Sequence, residues 1–119
     1  MKIAITAIGT DLSSEIDQRF GRAKNIIIVD TETMEFSCIE NTQNLNAASG
    51  AGIQTSQNVA KQNVEVVLTG NCGPKAFATL QAAGIKVVIG VTGSIKDAIE
   101  DYKNGKLKIS DSANVEGHW

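Results

Sequence analysis

Two short stretches of the chain collect the residue types that do chemistry. Asp17-Gln18-Arg19-Phe20-Gly21-Arg22 holds both of its arginines. A planar guanidinium fork suits bidentate contact with oxyanions and with diffuse anions. The same residues also read as a structural turn, in which an arginine pairs with Asp17 or Glu15. Surface ion pairs are common and contribute little, so both readings of Arg19 and Arg22 stay open. Phe20 reads better as a core residue.

The second stretch is Gly70-Asn71-Cys72-Gly73-Pro74-Lys75. It sets backbone N–H groups, a thiol and an ammonium at a predicted helix start, an arrangement that attracts anions. That field is expected to lower the pKa of Cys72 and favour thiolate, the form that binds metal. The plainer alternative is a strand-to-helix turn with a small, inert cysteine. Gly50 and Gly52, in Ser49-Gly50-Ala51-Gly52, mark another glycine-rich helix start that could admit an anion, although such turns are weak signals alone. His118, the single histidine, is either a frayed penultimate residue or a metal ligand delivered by a buried Trp119. Asn41, Asn44 and Asn71 read as neutral donors at a pocket rim or as ordinary loop residues. Cys38 lies mid-strand and is expected to be a packed core thiol.

Positioning these residues falls to a chain of 119 residues, enough for one domain with one buried core. Aromatics are only 4%, so Ile, Val, Leu and Ala must build that core. Buried strands are predicted at 2–7, 25–30, 64–69 and 85–89 from continuous apolar runs. The alternating stretch 35–40 fits a half-exposed edge strand that forms an antiparallel hairpin with its predecessor. Helices are predicted from Ala51 to Gln62, from Pro74 to Ala83, and onward from a capping-box-like Ser94-Ile95-Lys96-Asp97. The order β-β-β-α-β-α-β-α gives an α/β fold: a mixed five-stranded sheet with helices on both faces and right-handed parallel crossovers. Ligands of such sheets sit beyond the carboxyl ends of the strands. That edge gathers loops 8–22, 41–50, 70–74 and 90–94. The whole chain, 1–119, reads as a single domain whose last residues, from about 110, form a flexible tail.

Several functions are disfavoured. A net charge of −2 argues against a general nucleic-acid binder. There is no phosphate-loop motif and no carboxylate pair at the end of the first strand. No apolar run approaches the roughly 20 residues of a membrane span, and the N-terminus is unlike a secretory leader, so the protein reads as cytoplasmic. Two cysteines are too few for a disulfide scaffold.

The blocks Asp17-Gln18-Arg19-Phe20-Gly21-Arg22-Ala23, Gly50-Ala51-Gly52, Leu68-Thr69-Gly70-Asn71-Cys72-Gly73-Pro74-Lys75-Ala76 and Ala82-Ala83-Gly84-Ile85 resemble the dinitrogenase iron–molybdenum cofactor biosynthesis family. The resemblance, to the NifX-like group that includes the molybdenum–copper orange proteins, covers nearly the whole chain. It implies a three-layer ribonuclease-H-like fold with strand order 3-2-1-4-5 and strand two antiparallel. It also implies a carrier or accessory role for an iron–sulfur, iron–molybdenum or molybdenum–copper cluster, with a cluster-assembly or cluster-accepting protein as partner. The fold name carries no nuclease activity.

The leading expectation is therefore a non-enzymatic binding protein for an anionic metal–sulfur cluster. Arg19, Arg22, Lys75, Gly50, Gly52, Asn71 and Gly73 would supply charge and amides, and Cys72 and His118 the metal ligands. The cluster would be held without covalent attachment, Cys72 excepted. One alternative is an enzyme using Cys72 as a nucleophile or persulfide carrier, although Cys-x-x-Cys is incomplete. Another is a partner-binding module without cofactor. Visible colour in protein purified without oxygen favours the first.

Overall fold

A computed structural model describes residues 1–41 and 50–114. Five strands, β1 (Lys2–Ala7), β2 (Asn25–Asp30), β3 (Phe36–Glu40), β4 (Val66–Leu68) and β5 (Lys86–Val88), form one sheet in the order β3-β2-β1-β4-β5. β2 runs antiparallel to both β1 and β3, whereas β1, β4 and β5 are mutually parallel. The expected strand order and the antiparallel second strand are thus observed.

Alternation along the strands sorts the core into two layers. Ile3, Ile5, Ile27, Val29, Val66 and Leu68 face α3 (Ile95–Lys103), whose Ile95, Ala98 and Ile99 are buried against them. Ala4, Ile26, Ile28, Val67 and Val87 face α1 (Ala51–Ala60) and α2 (Pro74–Ala82), which meet through Phe20, Val59, Phe77 and Leu80. Each fully buried aliphatic stabilises the fold by roughly 1.5–3 kcal/mol. Phe20 is fully buried, as expected. α3 starts where the capping pattern predicts, with the Asp97 N–H donating to Ser94 Oγ at 3.1 Å.

Cys38 departs from expectation. It is exposed, not packed in the core. It stands opposite the buried Ile27 on the α3 side of the sheet, but β3 is an edge strand and α3 packs toward the other strands. Phe36, on the same side of β3, is exposed for the same reason. Desolvation raises the Cys38 pKa, and the charge of Glu40 adds to it.

Because β1, β4 and β5 are parallel, their carboxyl ends open on one edge. Among the described residues, loops 8–22, 70–74 and 90–94 leave the sheet at that edge, and there Arg19, Arg22, Asn71, Cys72 and Lys75 lie.

Candidate functional site

The edge is held by a polar joint inside the sheet. Thr6 Oγ1, near the end of β1, donates to the Asp17 carbonyl at 2.7 Å and lies 2.8 Å from Thr69 Oγ1, just beyond β4. This ties loop 17–22 to loop 70–73. The two loops then run side by side: Asn71 N–H donates to the Gln18 carbonyl at 2.8 Å and Phe20 N–H to the Asn71 carbonyl at 3.1 Å. Arg19 and Asn71 form an isolated parallel bridge. The two chemistry-bearing stretches of the sequence are therefore one structural unit.

Close backbone approach adds the third stretch. A Cβ on Gly21 would lie 2.7 Å from the Gly52 nitrogen, so loop 17–22 presses directly on the first turn of α1. A Cβ on Gly52 would in turn meet the Ala76 Cβ of α2 at 3.0 Å. The starts of α1 and α2 thus lie side by side next to Arg22. Neither N-cap, Gly50 or Gly73, offers a side-chain cap, and neither first turn contains an acidic residue. First-turn amides have no intrahelical partners and carry partial positive charge.

Each predicted residue among the described ones has a definite place. Arg19 is partly exposed, with Nε 3.8 Å from Asp17 Oδ1. Asp17 is buried and also accepts the Arg19 N–H at 3.1 Å and the Lys24 N–H at 3.3 Å, so the structural-turn reading of this carboxylate describes a real contact. Arg22 is half-buried, Lys75 exposed on the first turn of α2, Gly50 exposed, and Gly73 buried. Asn71 donates from Nδ2 to the Gln18 carbonyl at 2.9 Å. Asn41 is buried, not at a rim: its Nδ2 donates to the Ala23 carbonyl at 2.9 Å and its Oδ1 accepts from Thr55 at 3.3 Å. Asn44, His118 and Trp119 lie outside the described residues.

Cys72 corrects the expectation of an activated thiol. Its side chain is 0% exposed and belongs to the core cluster with Phe20 and Phe77. Burial pushes its pKa up from an ordinary 9.0 to about 12. A helix-terminal field lowers a thiol pKa only if the sulfur sits in that field with solvent or charge around it. Here Sγ turns into the core, 3.7 Å from the Gly73 carbonyl oxygen. The sign of the pH effect follows. The native state keeps this proton between pH 9 and 12, where the unfolded chain loses it. Stability from the neutral thiol is fully present below pH 9 and lost as pH rises toward 12. Relative to Cys72→Ala, the natural chain should lose roughly 4 kcal/mol over that window, read by urea unfolding at stepped pH.

Among the described residues, no group of three His, Cys, Asp or Glu side chains is placed to hold a metal ion. Two surface depressions, of about 330 and 350 Å³, lie at the opposite edge of the sheet, beside Gly84 and Lys86 and beside Lys2 and Asp30. No helix among the described residues is long and apolar enough to cross a membrane. Sequence reasoning missed Asn114. Its Oδ1 accepts the Cys72 N–H at 2.9 Å and its Nδ2 donates to Asn71 Oδ1 at 3.0 Å. Nothing in its glycine- and lysine-rich surroundings marked it.

A mixed sheet of this order, with glycine-rich loops and two helix starts led by glycine N-caps at its carboxyl edge, defines a class of small α/β proteins. The sequence matches the dinitrogenase iron-molybdenum cofactor family over residues 1–105, and the chain belongs to that family. The apo form of the orange protein from Desulfovibrio gigas superposes with a TM-score of 0.93 at 39% identity, covering 96% of each chain. A Thermotoga protein provisionally assigned as NifB superposes with a TM-score of 0.83 at 37% identity, covering 98% of each. An uncharacterized protein of Methanocaldococcus jannaschii is 33% identical over 111 residues, 91% of this chain and 90% of that one. Membership ties the chain to the iron–molybdenum cofactor and its biosynthesis.

Proposed function

We propose that the chain is a carrier for an anionic metal–sulfur cluster, received from or passed to a cluster-assembly protein, with the cluster as cargo at the carboxyl edge. One observation carries this reading: the Arg19–Asn71 pairing and the Gly21–Gly52 approach bring two arginines, Lys75 and two uncapped helix starts to one edge. Such a cluster bears negative charge, and positive charge with amide donors offsets its desolvation. With the Cys72 thiol buried and protonated, the first hold on the cargo is by charge and amide hydrogen bonds. The same burial disfavours an enzyme that attacks through Cys72, since a nucleophilic thiol needs access and ionisation.

Tetrathiomolybdate, a sulfur-rich oxyanion analogue, tests the reading by visible titration under anaerobic conditions. Replacing Arg19 and Arg22 together with Gln should weaken binding by on the order of 2–5 kcal/mol while leaving the fold nearly intact. Unchanged binding with a collapsed melting temperature would make the arginines structural and remove the proposal's main support.

A further inference from the structure

Beyond α3 the chain wraps around the outer edge of β5. Leu107 packs on the α3 side of the sheet, and Ala113 packs on the opposite side, against the cluster that contains Cys72. Between them the Ser110 N–H donates to the Val87 carbonyl at 2.7 Å, and Ser110 Oγ accepts the Ile89 N–H at 3.1 Å. At Asn114 the described path reaches loop 70–73. Asn114 brackets Cys72 there, its N–H donating to the Cys72 carbonyl at 3.3 Å and its Oδ1 accepting the Cys72 N–H at 2.9 Å. Its Nδ2 reaches Asn71 Oδ1 at 3.0 Å and the Gly70 carbonyl at 3.4 Å.

We propose that residues 110–114 form a displaceable strap over the start of α2, and that Cys72 becomes accessible only when this strap lifts. Two features distinguish the strap from ordinary packing. Its contacts with the loop come mostly from one residue, Asn114, which is itself exposed. Hydrogen bonds at such a position compete with water and are individually weak. It also lies outside every helix and strand, so it can open locally while the sheet stays closed. The Asn114 carboxamide oxygen occupies the Cys72 N–H, two residues before α2, so that amide is free to meet an anion only when the strap lifts. Strapped and loaded forms of the α2 start therefore exclude each other, a consequence that rests on the carrier reading. The strap itself does not.

The test uses a Cys38→Ser background, in which Cys72 is the single thiol. Asn114→Ala should raise the rate of Cys72 alkylation by iodoacetamide about tenfold or more, with an unchanged circular dichroism spectrum. In the natural chain, which needs no substitution, the Cys72 amide should exchange hydrogen faster than the β4 amides and with little dependence on denaturant. An unaltered alkylation rate in a folded variant, or a Cys72 amide as protected as β4, overturns the strap. Tetrathiomolybdate separates the two claims. Tighter binding to Asn114→Ala than to the parent supports exclusion of cargo by the strap. Faster alkylation without tetrathiomolybdate binding by either form keeps the strap and removes the carrier.

Discussion

In the native protein at neutral pH, Cys38 is expected to be alkylated at least about 30 times faster than Cys72. Raising a thiol pKa from 9.0 to about 12 lowers its thiolate fraction about a thousandfold. The greater nucleophilicity of a more basic thiolate returns part of that, with a Brønsted slope near 0.4–0.5, leaving a factor of about 30–60. Burial of Sγ beneath the chain adds to this factor. Cys38 is held above its ordinary value by partial desolvation and by Glu40, which trims the ratio without reversing it. Peptide mapping after a timed exposure to iodoacetamide gives both rates in one experiment. A faster Cys72 would restore the picture of an ionised thiol at a helix start and refute the buried geometry.

Gly21→Ala should be among the most damaging single methyl additions at the described residues. Its Cβ would lie 2.7 and 2.8 Å from the nitrogen and Cα of Gly52 and 3.1 Å from the Ala51 carbonyl carbon. All three are backbone atoms, so no side-chain rotation relieves the clash, and the start of α1 must move. Overpacking of this kind costs about 3 kcal/mol, a fall of about 10–15 °C in Tm for a chain of this size. Gly50→Ala makes the useful contrast. There nothing among the described residues lies within 4 Å, and the cost comes from φ = +78°, about 1 kcal/mol. Thermal unfolding of the two variants separates lack of space from lack of conformational freedom. Equal melting points would mean that loop 17–22 does not press on α1.

Much of this architecture was legible in the residues. Ile26 to Val29 is apolar throughout because both faces of β2 are covered. Ser94 and Asp97 foretold the start of α3, and Pro74 that of α2. The pairing of Arg19 with Asn71 was legible only as two loops at one sheet edge, since their contact depends on how the chain crosses 52 residues. The two cysteines were misread for opposite reasons. Alternation along β3 says which residues share a side, but not that α3 fails to reach that side at the sheet edge. Proximity of Cys72 to a helix start says nothing about whether its sulfur turns outward or into the core. Asn41 was misread the same way: a loop asparagine whose amide serves two buried backbone carbonyls looks, in sequence, like one that faces solvent.

The parallel pairing of β1 with β4 has a kinetic side. Ile3 sits opposite Val66, so this pairing closes a stretch of about 60 residues, at an entropic cost of about 4 kcal/mol by the logarithmic loop law. β2 and β3 form a local hairpin, and β1 pairs with β2 across residues 8–24, so both pairings close much shorter stretches. Contacts between distant segments slow folding more than local ones do, and synthesis delivers the N-terminal part first. Loop 17–22 is therefore made early but waits for β4 and loop 70–73 before it has a partner. A nascent chain that has emerged only as far as β3 possesses both arginines but not the edge proposed to hold cargo, so under the proposed carrier function uptake waits for a chain already carried past α2.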